Sequence, residues 1–301
     1  MRQLPYKGIK IALDSGRGDY SFISHAHADH LNGIKRQQNF IASEETYELA
    51  GLGGKLVDVA GTKLINAGHM LGARQLVLEE DGCRTVYTGD ISVRSNIFGM
   101  AAEIPECNRL IMESTYADPA YKFQDNFEVY SSIGKWVNKN DRHSILIGAY
   151  DLGKAQEIIR VLNEYCGVVP VVTEKTGRFC SVYEKFGIRL ERAVVGSGEA
   201  EDIMRGRFVA IVPMGHAKRY FAARLSEAFE RKILVAVATG WALKYRFNVD
   251  AAFPLSDHAD FDDLVQYAEG TGAKEIEFFE GDGSKLVAAL KNKIINPLLN
   301  K

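Results

Sequence analysis

The sequence has few cysteines, and none of them lie close together. The only cysteines among its 301 residues are Cys83, Cys107, Cys166 and Cys180. Zinc ribbons and dithiol redox motifs need cysteine pairs only a few residues apart, so neither kind of site is expected. We expect reduced, mostly buried thiols of a cytoplasmic protein.

The chain also lacks a net charge of either sign, a long apolar run and a secretory signal. Lys and Arg number 37 against 39 Asp and Glu, so binding to a polyanion would need a local basic patch. No run approaches the roughly 18 apolar residues of a membrane span, and residues 1–14 lack a secretory apolar region. These absences favour a soluble cytoplasmic protein without a membrane partner.

The hydrophobic pattern changes along the chain. Hydrophobic residues make up 46% of it, enough for one large unit or two domains. Short β-rich runs ending in Gly, Asp or Asn occupy residues 9 to about 112. From residue 127, helical and strand patterns alternate, which predicts a mostly parallel βα module. The predicted helices are 127–139, 152–165, 217–232, 260–269 and 284–294, and the predicted strands include 144–150, 168–172, 207–214, 233–243 and 276–281.

The segment His25-Ala-His27-Ala-Asp29-His30 follows a strand-like run. Imidazole nitrogens and carboxylate oxygens at this density are typical ligands of Zn²⁺, and four donors within six residues allow two ions. The alternative interpretation is a solvated polar loop. A single His-x-His pair would be equally consistent with such a loop and with a metal site, but four donors directly after a strand favour the metal site.

His69 and Asp90 also close strand-like runs, in AGHMLGA and YTGD. Taken alone, His69 would be interpreted as a core histidine and Asp90 as a turn former. Together with the first segment, they supply a further histidine and a carboxylate able to bridge two ions, as in dinuclear hydrolytic sites.

The order LDSG, HAHADH, AGHMLGA and YTGD resembles the metallo-β-lactamase superfamily, whose fold is an αββα sandwich with a dinuclear metal centre at one edge of its sheets. The resemblance covers the first hundred residues. It implies one metal on His25, His27 and His69. It implies a second metal on Asp29 and His30, with Asp90 bridging and a structural role for Asp14.

The rest of the chain resembles the β-CASP nucleases of that superfamily, through ESTY, LGKAQEII and FPLSDHADF. Similarity is greatest to the branch of ligase-associated DNA exonucleases and mRNA 3′-end processing factors, through GWALKYRF and FPLSDHADF. The resemblance implies an α/β fold with a catalytic αββα metallo-β-lactamase-like domain at 1–118 and 250–301. An inserted β-CASP-like α/β domain at 119–249 would clamp the substrate.

Phosphodiester hydrolysis needs an activated water, cations on the phosphate and a proton donor for the leaving oxygen. The β-CASP resemblance implies that a hydroxide bound to a dinuclear metal centre attacks the phosphodiester and that Asp29 is a catalytic residue. It also implies that His258 contacts the phosphate and that Glu113 orients or charges His258. Taken alone, His258 would equally suit an ordinary helix-start histidine beside the capping residues Ser256 and Asp257.

Glu280 departs from the family pattern. Many β-CASP enzymes, notably RNA-directed ones, carry a metal-binding histidine in a strand-end His-Gly pair, where this chain has Glu280-Gly281. A carboxylate could bind a metal and favour Mn²⁺ or Mg²⁺, or it could leave the second metal weakly held. We therefore predict two zinc sites, with the second weak or open to Mn²⁺.

Several residues of the central module are candidates for contact with nucleic acid. Basic side chains there could bind the phosphate backbone, and the nearby aromatic residues could stack on bases. The alternative is a solvated charged face over buried aromatic residues. The basic candidates are Lys154, Arg178, Lys218, Arg219, Lys244 and Arg246, and the aromatic ones are Trp241, Tyr245 and Phe247.

The sequence thus favours a metal-dependent DNA exonuclease, with an RNA-processing β-CASP nuclease as the second hypothesis. A DNA ligase or helicase partner is implied by the resemblance alone. Two other classes stay open: a glyoxalase- or lactonase-type hydrolase of small molecules, and a nucleic-acid-binding protein that Glu280 has deprived of catalysis.

Overall fold

The computed structural model of the chain describes residues 2–290 and 296–299, with side chains described for residues 3–290. Its internal contacts divide the chain into two compact units. Unit 1 is Met1–Ser95, Met100–Lys122 and Asp257–Lys301, and unit 2 is Asn96–Gly99 and Phe123–Ser256. The catalytic and substrate-clamping roles expected for the two parts of the chain stay predictions.

The strands and helices are numbered in chain order. The strands are β1 (Arg2–Tyr6), β2 (Ile9–Leu13), β3 (Tyr20–Phe22), β4 (Asn39–Ile41), β5 (Lys55–Leu56), β6 (Thr62–Asn66), β7 (Arg74–Glu80), β8 (Cys83–Tyr87), β9 (Arg109–Glu113), β10 (Ser144–Ala149), β11 (Val171–Val172), β12 (Ala193–Val194), β13 (Val209–Pro213), β14 (Ile233–Ala238), β15 (Ala251–Phe253), β16 (Glu275–Phe279) and β17 (Asn296–Leu299). The α-helices are α1 (Glu44–Ala50), α2 (Asn126–Lys139), α3 (Lys154–Cys166), α4 (Glu174–Lys185), α5 (Gly198–Arg205), α6 (Arg219–Ala228), α7 (Phe261–Thr271) and α8 (Ser284–Leu290).

Unit 1 contains two sheets. The first has the order β1-β2-β3-β4-β5, and the second has the order β17-β16-β9-β8-β7-β6. In the first sheet β1 and β2 are antiparallel and the remaining neighbours are parallel. In the second sheet β6, β7 and β8 form an antiparallel meander, whereas β8, β9, β16 and β17 run parallel. This arrangement brings the carboxyl ends of several strands to one edge.

The two sheets of unit 1 pack face to face through one hydrophobic core. Residues of both sheets that form this core are Leu4, Tyr6, Ile11, Leu13, Phe22 and Ile41 from the first sheet, and Leu76, Leu78, Tyr87 and Ile111 from the second. On the opposite face of the first sheet, Tyr47 of α1 packs near Phe40. On the opposite face of the second sheet, Tyr267 of α7 donates a hydrogen bond to Gln75. Helices thus cover both outer faces, and the predicted αββα sandwich is confirmed.

Unit 2 is built on a six-stranded sheet of order β12-β11-β13-β10-β14-β15, in which every neighbouring pair is parallel. Residues of β10 and β14 are buried throughout, as expected of central strands covered on both faces. The predicted parallel βα module is therefore confirmed. The helices α4 and α5 were not predicted, and the predicted strand 168–172 is reduced to the two residues of β11. The predicted closing helix begins at Ser284, and its residues 291–294 lie outside the described residues.

Two further expectations, on the cysteines and on membrane spans, can be compared with the described residues. The four cysteines are free: Cys107 and Cys180 are buried, Cys166 is half-buried and Cys83 is exposed. None of the helices described is both long and apolar enough to cross a membrane.

A candidate metal centre

The candidate site lies in unit 1, where strand ends of both sheets meet. The carboxyl ends of parallel strands lie at the same edge of a sheet, so residues that follow such strands come together. Side chains predicted to act at the site follow or end β2, β3, β8, β9 and β16: Asp14, His25, His27, His30, Asp90, Glu113 and Glu280. His69 comes from the connection between β6 and β7.

Three histidines and one aspartate form the first donor group. His27 Nδ1 lies 3.1 Å from both His25 Nε2 and His69 Nε2. Asp90 Oδ2 lies 3.4 Å from His25 Nε2 and 3.7 Å from His69 Nε2. Ligands about 2.0–2.1 Å from a tetrahedral zinc would lie about 3.3–3.4 Å from one another. The spacing of these four donors suits a single tetrahedral Zn²⁺, and their ligand atoms all lie within 4.8 Å of one another.

Hydrogen bonds fix two of these rings from behind. His69 Nδ1 lies 2.8 Å from the carbonyl oxygen of Asp257, to which only a protonated nitrogen can donate. The Nε2 atom of His69 is therefore the one presented to the group. His25 Nδ1 lies 3.0 Å from the Ser24 hydroxyl, so its Nε2 faces the same point. Metal-binding histidines are usually oriented in this manner.

Burial keeps His25 and His69 neutral, which is the form that binds a metal. Desolvation, assisted by the neighbouring His30, lowers the pKa of His25 well below its ordinary value. Desolvation lowers the pKa of His69 to about 3, although Asp257 opposes the shift. Both rings thus offer lone pairs at any physiological pH.

His30, Asp90 and Glu280 form the second donor group. His30 Nε2 lies 3.4 Å from Asp90 Oδ2 and 3.3 Å from Glu280 Oε1. Two buried atoms of this group, His30 Nε2 and Asp90 Oδ1, have no hydrogen-bond partner within the described structure. Buried polar atoms normally have partners, so this pair of atoms marks a place for a cation. Asp90 belongs to both donor groups.

Asp14 holds His30 in this orientation. Its Oδ2 atom lies 2.8 Å from His30 Nδ1 and accepts a hydrogen bond of 2.7 Å from the Tyr87 hydroxyl. Both of its oxygens also accept hydrogen bonds from Ser24, through the backbone N–H and the hydroxyl. These contacts give a physical form to the structural role expected of Asp14, because they hold the His30 ring with Nε2 directed towards Asp90 and Glu280.

Without a cation, charge within the second group is balanced by protons. Burial alone would lower the pKa of His30, but the carboxylates of Asp90 and Asp14 raise it to about 12. Burial and the repulsion of Asp90 raise the pKa of Glu280 to about 7. Burial opposes ionisation of Asp90, but His30, His25 and His258 hold its pKa well below the ordinary value. A proton and a metal ion therefore compete for the same space.

The backbone at Glu280 is shaped to bring its side chain to the site. Glu280 has φ +53, in the left-handed region, and its carbonyl oxygen accepts a 3.1 Å hydrogen bond from Ser114 N–H. At Gly281, also with positive φ, a Cβ atom would lie 2.1 Å from the Ser114 carbonyl oxygen. The turn after β16 therefore requires glycine next to Glu280.

His258 and Glu113 lie beside the shared Asp90. His258 Nδ1 is 2.9 Å from Glu113 Oε2, and His258 Nε2 is 3.8 Å from Asp90 Oδ2. Glu113 is fully buried at the end of β9, and its Oε1 atom also accepts a hydrogen bond from Ile91 N–H. Burial would lower the pKa of His258, yet Glu113 and Asp90 raise it to about 10. His258 is thus a cation aimed at the donor groups.

Asp29 is the predicted ligand that the structure does not bring into these groups. Its side chain is exposed on a short 3-10 helix, Ala28–His30, and it belongs to none of the donor groups among the described residues. Its negative charge contributes less to the raised pKa of Glu280 than burial and the charge of Asp90 do. Its assignment as a ligand and catalytic residue stays a prediction.

Lys154 corrects one sequence-based assignment. It was predicted to contact nucleic acid, but it is only 1% exposed and its Nζ lies 2.6 Å from Glu157 Oε2. The Tyr130 hydroxyl donates to the same glutamate. Lys154 is therefore a buried structural cation of α3 and cannot reach a phosphate.

The remaining basic candidates differ in their surroundings. Lys218, Lys244 and Arg246 are exposed. Arg219 and Arg178 are exposed but lie in ion pairs, with Asp250 at 3.1 Å and with Glu174 at 3.4 Å.

The aromatic candidates also differ. Tyr245 is 55% exposed and Trp241 is half-buried beside it. Phe247 is half-buried and packs against the core of unit 2. Of the three, Tyr245 is the most exposed, and the stacking roles stay predictions.

Sequence reasoning missed three residues that hold the site together. Ser24 contacts Asp14 and His25, Tyr87 contacts Asp14, and the Asp257 carbonyl contacts His69. Each lies within three residues of a predicted site residue in the sequence. Proximity to a motif was the available signal, but hydrogen-bond partners between distant segments cannot be assigned from it.

Comparisons with known proteins show which proteins this chain resembles. No protein-family model matches the chain. The chain is 30% identical to a probable DNA ligase of Opitutus terrae over 91% of its own length and 28% of that protein. It is 25% identical to an RNase J-like protein of Methanocaldococcus jannaschii, over 96% of its length and 68% of that protein. A third relative, the endoribonuclease YSH1 of Saccharomyces cerevisiae, is 36% identical over 36% of the chain and 14% of its own length.

These relatives are β-CASP nucleases of the metallo-β-lactamase superfamily, which is the family that the sequence of this chain resembles. The chain spans 28% of the ligase relative, so the activity of that whole protein does not transfer directly. Among solved structures, a protein of unknown function from Enterococcus faecalis V583 matches with a TM-score of 0.62 and 13% identity, covering 94% of this chain and 79% of that one. This match shows a shared fold alone.

Proposed function

We propose that the chain is a metal-dependent phosphodiesterase that degrades DNA from an end. The observation that carries the proposal is the sharing of Asp90 between two adjoining donor groups, one rich in histidine and one with two carboxylates. Two adjacent cations suit the displacement of an oxygen from phosphorus, because the attacking and the leaving oxygen both need a positive charge nearby.

Each residue then has a defined task. His25, His27 and His69 would hold one cation, His30 and Glu280 would hold the other, and Asp90 would contact both. When bound, the cations supply Lewis acidity and make water nucleophilic at neutral pH. Ser24, Asp14 and the Asp257 carbonyl keep the ligand rings in position.

His258 is suited to act on the phosphate. Its Nδ1 atom is held by Glu113, so Nε2 is the nitrogen that faces the donor groups. A protonated Nε2 can donate to a phosphate oxygen and then to the leaving alkoxide. General acid catalysis of this kind contributes about 10²- to 10⁴-fold in rate.

Two observations support DNA over RNA. The relative from Opitutus terrae is named as a probable DNA ligase, and it matches 91% of this chain. Glu280 also stands where RNA-directed members of the family carry histidine. The same relative supports the proposal that the protein acts alongside a DNA ligase.

RNA processing is the second candidate function. It is favoured by the RNase J-like relative, which matches 96% of this chain, and by the endoribonuclease YSH1. Both candidates predict the same metal centre, so the choice between them is a matter of the sugar that the substrate carries.

A matched degradation assay tests the proposal. Purified protein is incubated with Zn²⁺ or Mn²⁺ and with single-stranded DNA or RNA of one sequence, labelled at either end, and with circular single-stranded DNA. We expect a ladder on linear DNA, none on the circle, and no activity in Asp90→Asn. Asp141→Asn, an exposed aspartate of unit 2, serves as the control and should stay active.

Each other outcome has a meaning. Cleavage of RNA only would replace the proposal with the second candidate, and cleavage of the circle would exclude a purely exonucleolytic mode. If neither polymer is cleaved while metal analysis shows bound ions, the nuclease proposal is wrong, and thioesters and lactones become the substrates to assay.

A further inference from the structure

The two donor groups differ in chemistry. The first offers three imidazole nitrogens and one carboxylate, whereas the second offers one imidazole nitrogen and two carboxylates. Imidazole suits Zn²⁺, and carboxylate and water oxygens suit Mn²⁺ and Mg²⁺. The second group is thus harder than the first because Glu280 supplies an oxygen.

The two groups also differ in exposure. The side chains of His25 and His69 are fully buried, whereas that of Glu280 is 40% exposed. Hard cations keep several water molecules when bound to proteins, so they need an open side. The second group has such a side at Glu280, and the first group is enclosed at His25 and His69.

The second group is nevertheless a prepared site. His30 is 2% exposed, its Nε2 atom has no hydrogen-bond partner within the residues described, and Asp14 fixes the ring from the other nitrogen. Asp90 Oδ1 is in the same unpartnered state. His30 Nε2 also lies 3.4 Å from Asp90 Oδ2 and 3.3 Å from Glu280 Oε1, so one cation could contact all three side chains.

We propose that the centre is heterodinuclear, with Zn²⁺ on His25, His27 and His69 and Mn²⁺ on His30, Asp90 and Glu280. The proposal rests on the proposed function only for the premise that divalent cations bind here. Most protein sites bind Zn²⁺ more tightly than Mn²⁺ in absolute terms. The selectivity therefore lies in the ratio of Zn²⁺ affinity to Mn²⁺ affinity, which we expect to be lower at the second site than at the first. Excess Mn²⁺ then binds at the second site, while Zn²⁺ stays at the first.

Metal binding, not catalysis, provides the test. The full chain is stripped with a chelator, loaded with one equivalent of Zn²⁺ and titrated with Mn²⁺, and free Mn²⁺ is followed by electron paramagnetic resonance. Glu280→Gln keeps the shape of the side chain and removes its charge, and Glu280→His restores the imidazole of the family pattern. Circular dichroism and retention of the first Zn²⁺ equivalent verify that both variants fold.

We expect the wild-type protein to hold one Zn²⁺ and one Mn²⁺. Glu280→Gln should weaken Mn²⁺ binding by at least about tenfold and leave the first Zn²⁺ unchanged. Glu280→His should weaken Mn²⁺ and tighten a second Zn²⁺. Unchanged Mn²⁺ affinity in Glu280→Gln, or exclusion of excess Mn²⁺ from the zinc-loaded protein, would overturn the proposal. A protein that binds both ions but cleaves no nucleic acid would leave it standing and refute the nuclease function instead.

Discussion

Both carboxylate oxygens of Glu113 approach one ring nitrogen of His258, with Oε2 2.9 Å and Oε1 3.1 Å from Nδ1. Because Glu113 is fully buried, its charge is weakly screened, and it keeps His258 protonated. The pair is an acid whose proton faces the shared ligand Asp90.

Replacing Glu113 by Gln removes the negative charge of the side chain and keeps its shape, so it tests the effect of the charge alone. The amide can still accept the hydrogen bond from Ile91 N–H, but it cannot stabilise a protonated His258. We expect kcat on the cleaved nucleic acid to fall by about 10²-fold, with metal content unchanged. Glu277→Gln, on β16, is the matched control and should retain activity. Full activity in Glu113→Gln would show that the reaction does not need the charge of Glu113 beside His258.

Asp14→Asn should weaken the second cation site selectively. An amide cannot accept every hydrogen bond that Tyr87, Ser24 and His30 now make with Asp14, so the His30 ring loses its fixed orientation. Loss of such an orienting partner costs about 10- to 100-fold in metal affinity.

A competitive chelator titration measures this for each site. Tyr87→Phe removes one of these donors and should have a smaller effect. An equal loss at both sites in Asp14→Asn would show that Asp14 supports the fold as a whole.

Lys154→Met should destabilise the protein without changing its affinity for nucleic acid. The substitution leaves the charge of Glu157 buried without its cation, which costs about 3–5 kcal/mol of unfolding free energy in comparable cases. Urea unfolding followed by circular dichroism measures the loss. Lys244→Met, on the surface, should change stability by no more than about 0.5 kcal/mol. Stability equal to that of the wild type would mean that the Lys154–Glu157 ion pair contributes nothing.

The double variant Lys244→Ala with Arg246→Ala tests the nucleic-acid surface of unit 2. If both side chains contact phosphates, the slope of log affinity against log salt for single-stranded DNA should decrease by about 1.4. Fluorescence anisotropy over a salt series provides the slope. Arg205→Ala, which loses an ion pair with Asp202 on α5, should leave the slope unchanged. An unchanged slope in the double variant would remove these two residues from the interface.

The helices and strands that were predicted from the sequence are those with a periodic pattern of apolar side chains. The helix 127–139 matches α2 to within one residue, because apolar residues line its buried face. In α4 the buried positions are Thr176, Gly177, Cys180 and Tyr183, which form no apolar stripe. A helix that buries small and polar side chains gives no hydrophobic period, so it was missed.

The candidate site was predictable as a set of donors but not as an arrangement. His25, His27, His69 and Asp90 were grouped in advance, and they lie together. The burial of Lys154 was not predictable, since it depends on Glu157 one turn later and on Tyr130 of another helix. Long-range pairing of charges leaves no trace in local composition.

Two of the residues that surround the second cation site, Asp14 and Glu280, adopt positive φ angles of 46° and 53° although neither is glycine. Such conformations cost roughly 1–3 kcal/mol each, and they persist only where the surroundings enforce them. Substituting Asn or Gly at position 280 would relieve this cost. A laboratory selection for thermostability of the metal-free protein would therefore favour replacement of Glu280, and the evolved protein would lose the carboxylate that we propose for the second ion.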